Sequence, residues 1–126
     1  MSRELKNRTI EFAIACGELC SKLPVNRRYD AYCRQLIRCS ASVGANYRAA
    51  LRAKSDRDFL NKLKIVEEEV DESQFWLELL ERIGEKEIHR IKILQKEASE
   101  LTAIFVASIR KVRSKIKETK NGPGTK

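Results

Sequence analysis

Five arginines set the chemical character of this chain. At about 100° per residue of α-helix, Arg27, Arg34, Arg38, Arg48 and Arg52 fall within an arc of roughly 80°. They form one stripe about 25 residues long, roughly 37 Å at 1.5 Å per residue. The planar guanidinium pairs bidentately with phosphate or carboxylate. Ala41 and Ala45 fall on the same arc and leave its middle flat. A second basic run follows later, with Arg110, Lys111, Arg113, Lys115 and Lys117 opposed only by Glu118. The chemistry these residues suit is polyanion binding: RNA or DNA phosphates, held largely without sequence preference and released steeply by salt. The contact residues expected are Arg27, Arg34, Arg38, Arg48, Arg52, Arg110, Lys111, Arg113 and Lys117. A competing reading stays open. From Glu67 to Glu87 the sign reverses, and Glu67, Asp71 and Glu78 share one arc, so the stripe can instead pair with the acidic face of a neighbouring subunit. Charge runs are also commonly plain solvated surface.

Other reactive residues are sparse. His89 is the only histidine, and no Gly-rich phosphate loop is present. A di-iron bundle would use Glu-x-x-His on two helices, but Lys86 stands three positions before His89. Cys16 and Cys20 lie one helical turn apart, Cys33 and Cys39 in the next stretch, and neither pair has C-x-x-C spacing. They read as small hydrophobes in a core. No catalytic residue, metal site or cofactor is expected, and the chain reads as a non-enzyme. Trp76 beside Phe75 reads as packing, because neither stands in a basic stretch.

The elements that must position the arginines are helices. Charged residues make up 35% of the 126 positions, aromatics 6%, and there are only five Gly and two Pro. That composition favours long helices in one domain. Four apolar series recur at alternating steps of four and three. They are Leu5, Thr9, Phe12, Cys16, Leu19, Leu23; then Tyr29, Cys33, Leu36, Ser40, Val43, Tyr47, Ala50; then Phe59, Leu63, Val66, Val70, Ser73, Leu77, Leu80; and Ile91, Leu94, Ala98, Leu101, Phe105, Ser108, Val112. Pro24 ends the first helix. Asn26 is placed to cap the second, and Ser55-Asp56-Arg57-Asp58 to open the third as a capping box. Gly84 suits a left-handed residue after its end. The fourth runs from about Glu87 to about Lys117. Short connections predict an all-α, antiparallel, up-down-up-down four-helix bundle over 1–118, with 119–126 a disordered basic tail.

No apolar run approaches the length of about 20 residues that spans a membrane, and the first residues show no secretory signal. The expected location is the cytoplasm. A second apolar stripe, with Ile93, Ile104 and Ile109 on the fourth helix and Phe75, Leu79 and Ile83 on the third, exceeds what a lone bundle needs and predicts self-association. Ser42, Gly44, Ala45 and Asn46 read as a close-approach surface between helices or subunits, with Asn46 able to fix register.

The segment Arg38-Cys39-Ser40-Ala41-Ser42-Val43-Gly44-Ala45-Asn46-Tyr47-Arg48-Ala49 resembles the R-S-x-x-S-I-x-A-N-Y-x-E stretch of the 23S rRNA-intervening sequence proteins, also called four-helix bundle proteins. Arg8-Thr9-Ile10-Glu11-Phe12-Ala13, Leu23-Pro24, Ser55 to Phe59, Lys62 to Ile65 and Glu72 to Leu80 match in order and spacing. The resemblance implies a four-helix bundle assembled into a ring-shaped homopentamer. A branch similar in fold, the accessory proteins of diversity-generating retroelements, is basic and associates with a reverse transcriptase and nucleic acid. By that analogy a reverse transcriptase is a conceivable protein partner. Two functions follow as expectations: a nucleic-acid-binding oligomer, or a protein-interaction scaffold whose basic stripe serves subunit or partner contacts.

Overall fold

The computed structural model describes residues 2–121. It contains four helices, α1 (Ser2–Ser21), α2 (Arg27–Leu51), α3 (Asp56–Ile83) and α4 (Ile88–Asn121), and no strand among the described residues. Each helix packs against the next in sequence, and α1 also meets α4. The apolar series explain why. Every expected position of α2 is buried, and on α3 every one from Leu63 to Leu80. Phe12, Leu36, Val43, Leu63, Val66, Val70, Leu77, Leu101 and Phe105 form the centre of the core. Each buried Leu or Phe contributes about 1.5–3 kcal/mol relative to exposure. Thr9, Ser40 and Ser73 are the buried polar residues, and each hydroxyl donates back to its own helix, to the carbonyls of Lys6, Ile37 and Glu69.

The helix starts follow the expected chemistry. Asn26 Oδ1 accepts from Tyr29 N at 2.9 Å, and Ser55 Oγ accepts from Asp58 N at 3.1 Å. The capping box closes one residue early, since Asp58 Oδ2 accepts from Lys54 N rather than from Ser55.

Three local expectations are corrected. Gly84 is extended (φ −153°, ψ −178°), not left-handed, and Glu87 takes the positive φ (57°) that starts α4. Glycine is needed at 84 for room, because a Cβ there would run into the Tyr29 hydroxyl at the start of α2. On α4 the buried position is Ile109, while Ser108 is only half-buried. Ile109, four residues after Phe105, takes the buried place expected of Ser108, and the expected series resumes at Val112. Finally, α4 continues through Asn121 instead of ending near Lys117, so residues 119–121 of the expected tail are helical; residues 122–126 lie outside the described residues.

Candidate nucleic-acid interface

All nine expected contact residues are exposed: Arg27, Arg34, Arg38, Arg48 and Arg52 on α2, and Arg110, Lys111, Arg113 and Lys117 on α4. They do not share one environment. Arg38 reaches across to α3, where its Nη2 donates to Glu72 and its Nη1 lies 3.7 Å from Glu69. That hydrogen bond and a second from Trp76 Nε1 at 3.1 Å hold the Glu72 carboxyl below the usual carboxylate range. Glu69 shifts the other way. Burial pushes its carboxyl up, and its Oε1 is sealed from solvent with no hydrogen-bond partner. The acidic partner of Arg38 therefore belongs to its own chain. Arg34 stands apart from it, with Cys20, Cys33 and Asp30 around a hollow between α1 and α2.

Arg27 opens α2 at the far end, near the α3–α4 turn where Gly84 backs onto Tyr29, and stands apart as well; Arg48, Arg52 and the four α4 cations lie toward the opposite end of the molecule. Lys6 of α1 and Arg48 of α2 line a single hollow with Thr9, Ala41, Gly44 and Ala45. The chain then passes Arg52 and Lys54 and enters α3 at Asp56. Lys115 Nζ lies 3.5 Å from Asp56 Oδ1, so the last turns of α4 sit beside that entry. Arg3, Lys6, Arg48, Arg52, Lys54, Arg57, Arg110, Lys111, Arg113, Lys115 and Lys117 are thus gathered around the first turns of α1 and α3 and the last turns of α2 and α4. The opposing carboxylates in these segments are Glu4, Asp56, Asp58 and Glu118. Among the described residues no ion pair engages Arg48, Arg52, Arg110, Lys111, Arg113 or Lys117. Part of this arrangement serves the fold, since cations at a helix C-terminus complement its dipole by about 0.3–1 kcal/mol each. That effect explains basic last turns in α2 and α4. It does not explain Lys54 and Arg57, which lie beyond α2 and at the start of α3.

The small residues play a local part. At Gly44 a Cβ would stand 3.1 Å from Thr9 Oγ1, so α1 and α2 approach closely there. Asn46 Nδ2 donates to Ser42 O at 2.9 Å, within its own helix. Ala45 is exposed on the wall of the hollow that Lys6 and Arg48 share. The four cysteines are free, and burial raises all of their thiols, that of Cys16 to about 12. Burial thus disfavours their reactive thiolate forms. Among the described residues no cluster of His, Cys, Asp or Glu is placed to hold a metal ion, and no helix is long and apolar enough to cross a membrane.

Sequence reasoning missed the exposed apolar face between α1 and α2, where Ile10 and Ile14 line the hollow that Lys6 and Arg48 share and Ile37 lies beside Arg34. Ile10, Ile14 and Ile37 are each about half exposed, Ile14 the most at 58%. The signal was present, since Ile10 and Ile14 repeat at a four-residue spacing off the main seam of α1.

Fold and surface together define a small all-α protein of four packed helices with its positive charge drawn to one end. The sequence pattern of the 23S rRNA-intervening sequence proteins matches residues 2–107, and the chain belongs to that family. A crystal structure of a protein of unknown function from Bacteroides thetaiotaomicron, of the S23 ribosomal protein family, is similar, with a TM-score of 0.76 and 32% identity over 83% of this chain and 97% of that one. No curated protein matches the chain. The family match ends before Arg110, so the basic last turns of α4 lie outside it.

Proposed function

We propose that this protein is a non-enzymatic nucleic-acid-binding protein that holds RNA or DNA through phosphate contacts at its basic end. The observation that carries the reading is the convergence of Lys6, Arg48, Arg52, Lys54, Arg57 and the α4 cations around the Asp56–Lys115 contact, with few carboxylates to oppose them. Six to ten phosphate contacts would give an affinity that falls by about 10³–10⁵ between 50 and 200 mM salt.

The bundle supports this as an antiparallel, up-down-up-down scaffold. Glu81 near the end of α3 meets Lys92 near the start of α4, while Asp56 at the start of α3 meets Lys115 near the end of α4. Thr9 opposite Gly44 and Cys20 beside Cys33 give α1 and α2 the same reversed run. Exposed Ile10, Ile14 and Ile37 on one side, and Phe75 on the acidic flank of α3, are two different apolar patches. Different patches pairing head to tail close into a ring where the rotation between copies closes, an arrangement compatible with the ring-shaped homo-oligomer implied by the resemblance. Cytoplasmic placement goes with an RNA- or DNA-binding role.

The same apolar patches favour a second reading, a scaffold for a protein partner. Binding of the purified, nuclease-treated protein to mixed-sequence RNA and DNA separates the two. The nucleic-acid reading predicts micromolar or tighter binding at low salt that Arg48→Glu plus Arg52→Glu weakens by about a hundredfold without unfolding the protein. Absence of binding at low salt, with a protein partner retained after nuclease treatment, sinks it in favour of the scaffold.

A further inference from the structure

The position of the aromatic side chains narrows the kind of nucleic acid. Proteins that hold single strands without sequence preference combine a basic groove with exposed rings on which bases stack. In this molecule the two ingredients are separated. Around the basic end the aromatic residues are Tyr47 and Phe105, both buried and set edge to face at 5.5 Å, and Phe59, half-buried at the start of α3. The exposed ring is Phe75, 55% accessible on the outer face of α3. It packs against Trp76, whose ring stacks on Tyr32 and whose indole N–H is taken by Glu72. Asp71, Glu72 and Glu78 lie one turn to either side of Phe75. Phosphates would be repelled from the one place where a base could stack.

A second observation concerns α4. From Arg110 to Lys117 it shows charge around most of its circumference, with Val112 and Ile116 keeping the inner side. Over these turns the exposed residues, Arg, Lys and Ser, include no aromatic ring on which a base could stack. The surface offers dense contacts to backbone phosphates and no ring for an unpaired base.

We propose that the ligand of the basic end is a double helix, bound along its phosphate backbones without sequence preference, and that single strands are poor ligands. The inference rests on the nucleic-acid reading above and names its ligand class. The α4 segment involved lies beyond the family match, while Lys6, Arg48, Arg52, Lys54 and Arg57 lie within it.

The test is competition on the full chain. A labelled mixed-sequence duplex of about 20 base pairs is bound at low salt. Unlabelled duplex DNA, duplex RNA and unstructured single strands of each, at equal nucleotide concentration, are then used to displace it. The expected result is that one or both duplexes compete at least about tenfold better than either single strand, given the absence of stacking. Lys111→Glu plus Arg113→Glu should weaken duplex binding, and Phe75→Ala should leave single-strand binding unchanged. Single strands that compete as well as duplexes, in a manner that still depends on Lys111 and Arg113, overturn the duplex inference and leave phosphate binding standing. Single-strand binding lost in Phe75→Ala overturns it as well, by placing the strand on the aromatic side. No binding of any labelled nucleic acid at low salt overturns the nucleic-acid reading itself, and the duplex inference falls with it.

Discussion

At the end of the bundle where α3 turns into α4, cations and carboxylates are interleaved. Arg82 bridges Glu78 at 2.6 Å, Arg90 bridges Glu87 at 3.1 Å, and Lys92 reaches Glu81 at 2.9 Å. Gln95 and Lys92 together hold the Glu81 carboxyl below its usual range. At the opposite end the carboxylates run short. Asp58 is taken by Lys62 and Asp56 by Lys115, and six further cations of α2 and α4 have no such partner among the described residues. A net charge of +8 is therefore not a uniform coat. Charges three or four apart on a helix neutralise each other locally; the surplus accumulates where the end of α2 and the end of α4 flank the start of α3. Local pairing marks structure, and unanswered charge marks a surface open to a charged partner.

The largest effect should come from reversing that surplus. Arg48→Glu with Arg52→Glu should lower affinity for a duplex by about a hundredfold and reduce the salt slope by about 2, with the protein still folded but its melting temperature lowered by the lost dipole complement at the end of α2. The matched reversal at the other end, Arg82→Glu with Arg90→Glu, should leave affinity within about threefold, since those positions lie far from the proposed contacts. Equal losses from both pairs, read by fluorescence anisotropy, would erase the contrast between the ends.

The turn beside the interleaved end is sharpened by Gly84→Ala. Its Cβ would meet the buried Tyr29 hydroxyl, and the expected cost is about 1–3 kcal/mol in denaturant unfolding. Ser55→Ala at the basic end removes a helix cap and should cost about 1 kcal/mol. Neither change should alter the salt slope of binding.

The smallest effects test Arg38, the arginine that is answered within the chain. Glu72 has a lowered pKa, so it contributes stability above the unfolded carboxylate value, and that contribution fades as pH falls through the folded one. Glu72→Gln should therefore be less stable than the parent at neutral pH, with the difference vanishing in acid. Glu69 has a raised pKa from burial, so its ionised form works against the fold. Glu69→Gln should be more stable at neutral pH by less than about 1 kcal/mol, and the gain should shrink in acid. Unfolding midpoints between pH 3 and 7 read both, and parallel behaviour of the two variants would contradict the assignment.

Much of the fold was legible because it is periodic. The seams of α1 to α3 and the caps at Asn26 and Ser55 depend on neighbours within a few residues, which the sequence displays directly. Gly84 was misread because its reason, Tyr29, stands 55 positions away in sequence. The α4 seam was misplaced at one position, because strict alternation of three and four selected Ser108 where its apolar neighbour Ile109 fills the core. The charged surface was harder. Along the chain the arginines of α2 look like one stripe, yet tertiary contact commits Arg38 to Glu69 and Glu72, while Arg48 and Arg52 join Lys6 and the α4 cations. Which charges are answered depends on which helix lies alongside, and no window of sequence contains that.

The most direct measurement is the equilibrium affinity of the wild-type chain for a labelled duplex across a salt series, with its mass in solution determined on the same sample. The account predicts a straight line of log affinity against log salt, with a slope corresponding to several phosphates at about 0.9 per contact. A flat line, or no binding at the lowest salt, would contradict it and leave the basic end as surface charge in a scaffold for other proteins.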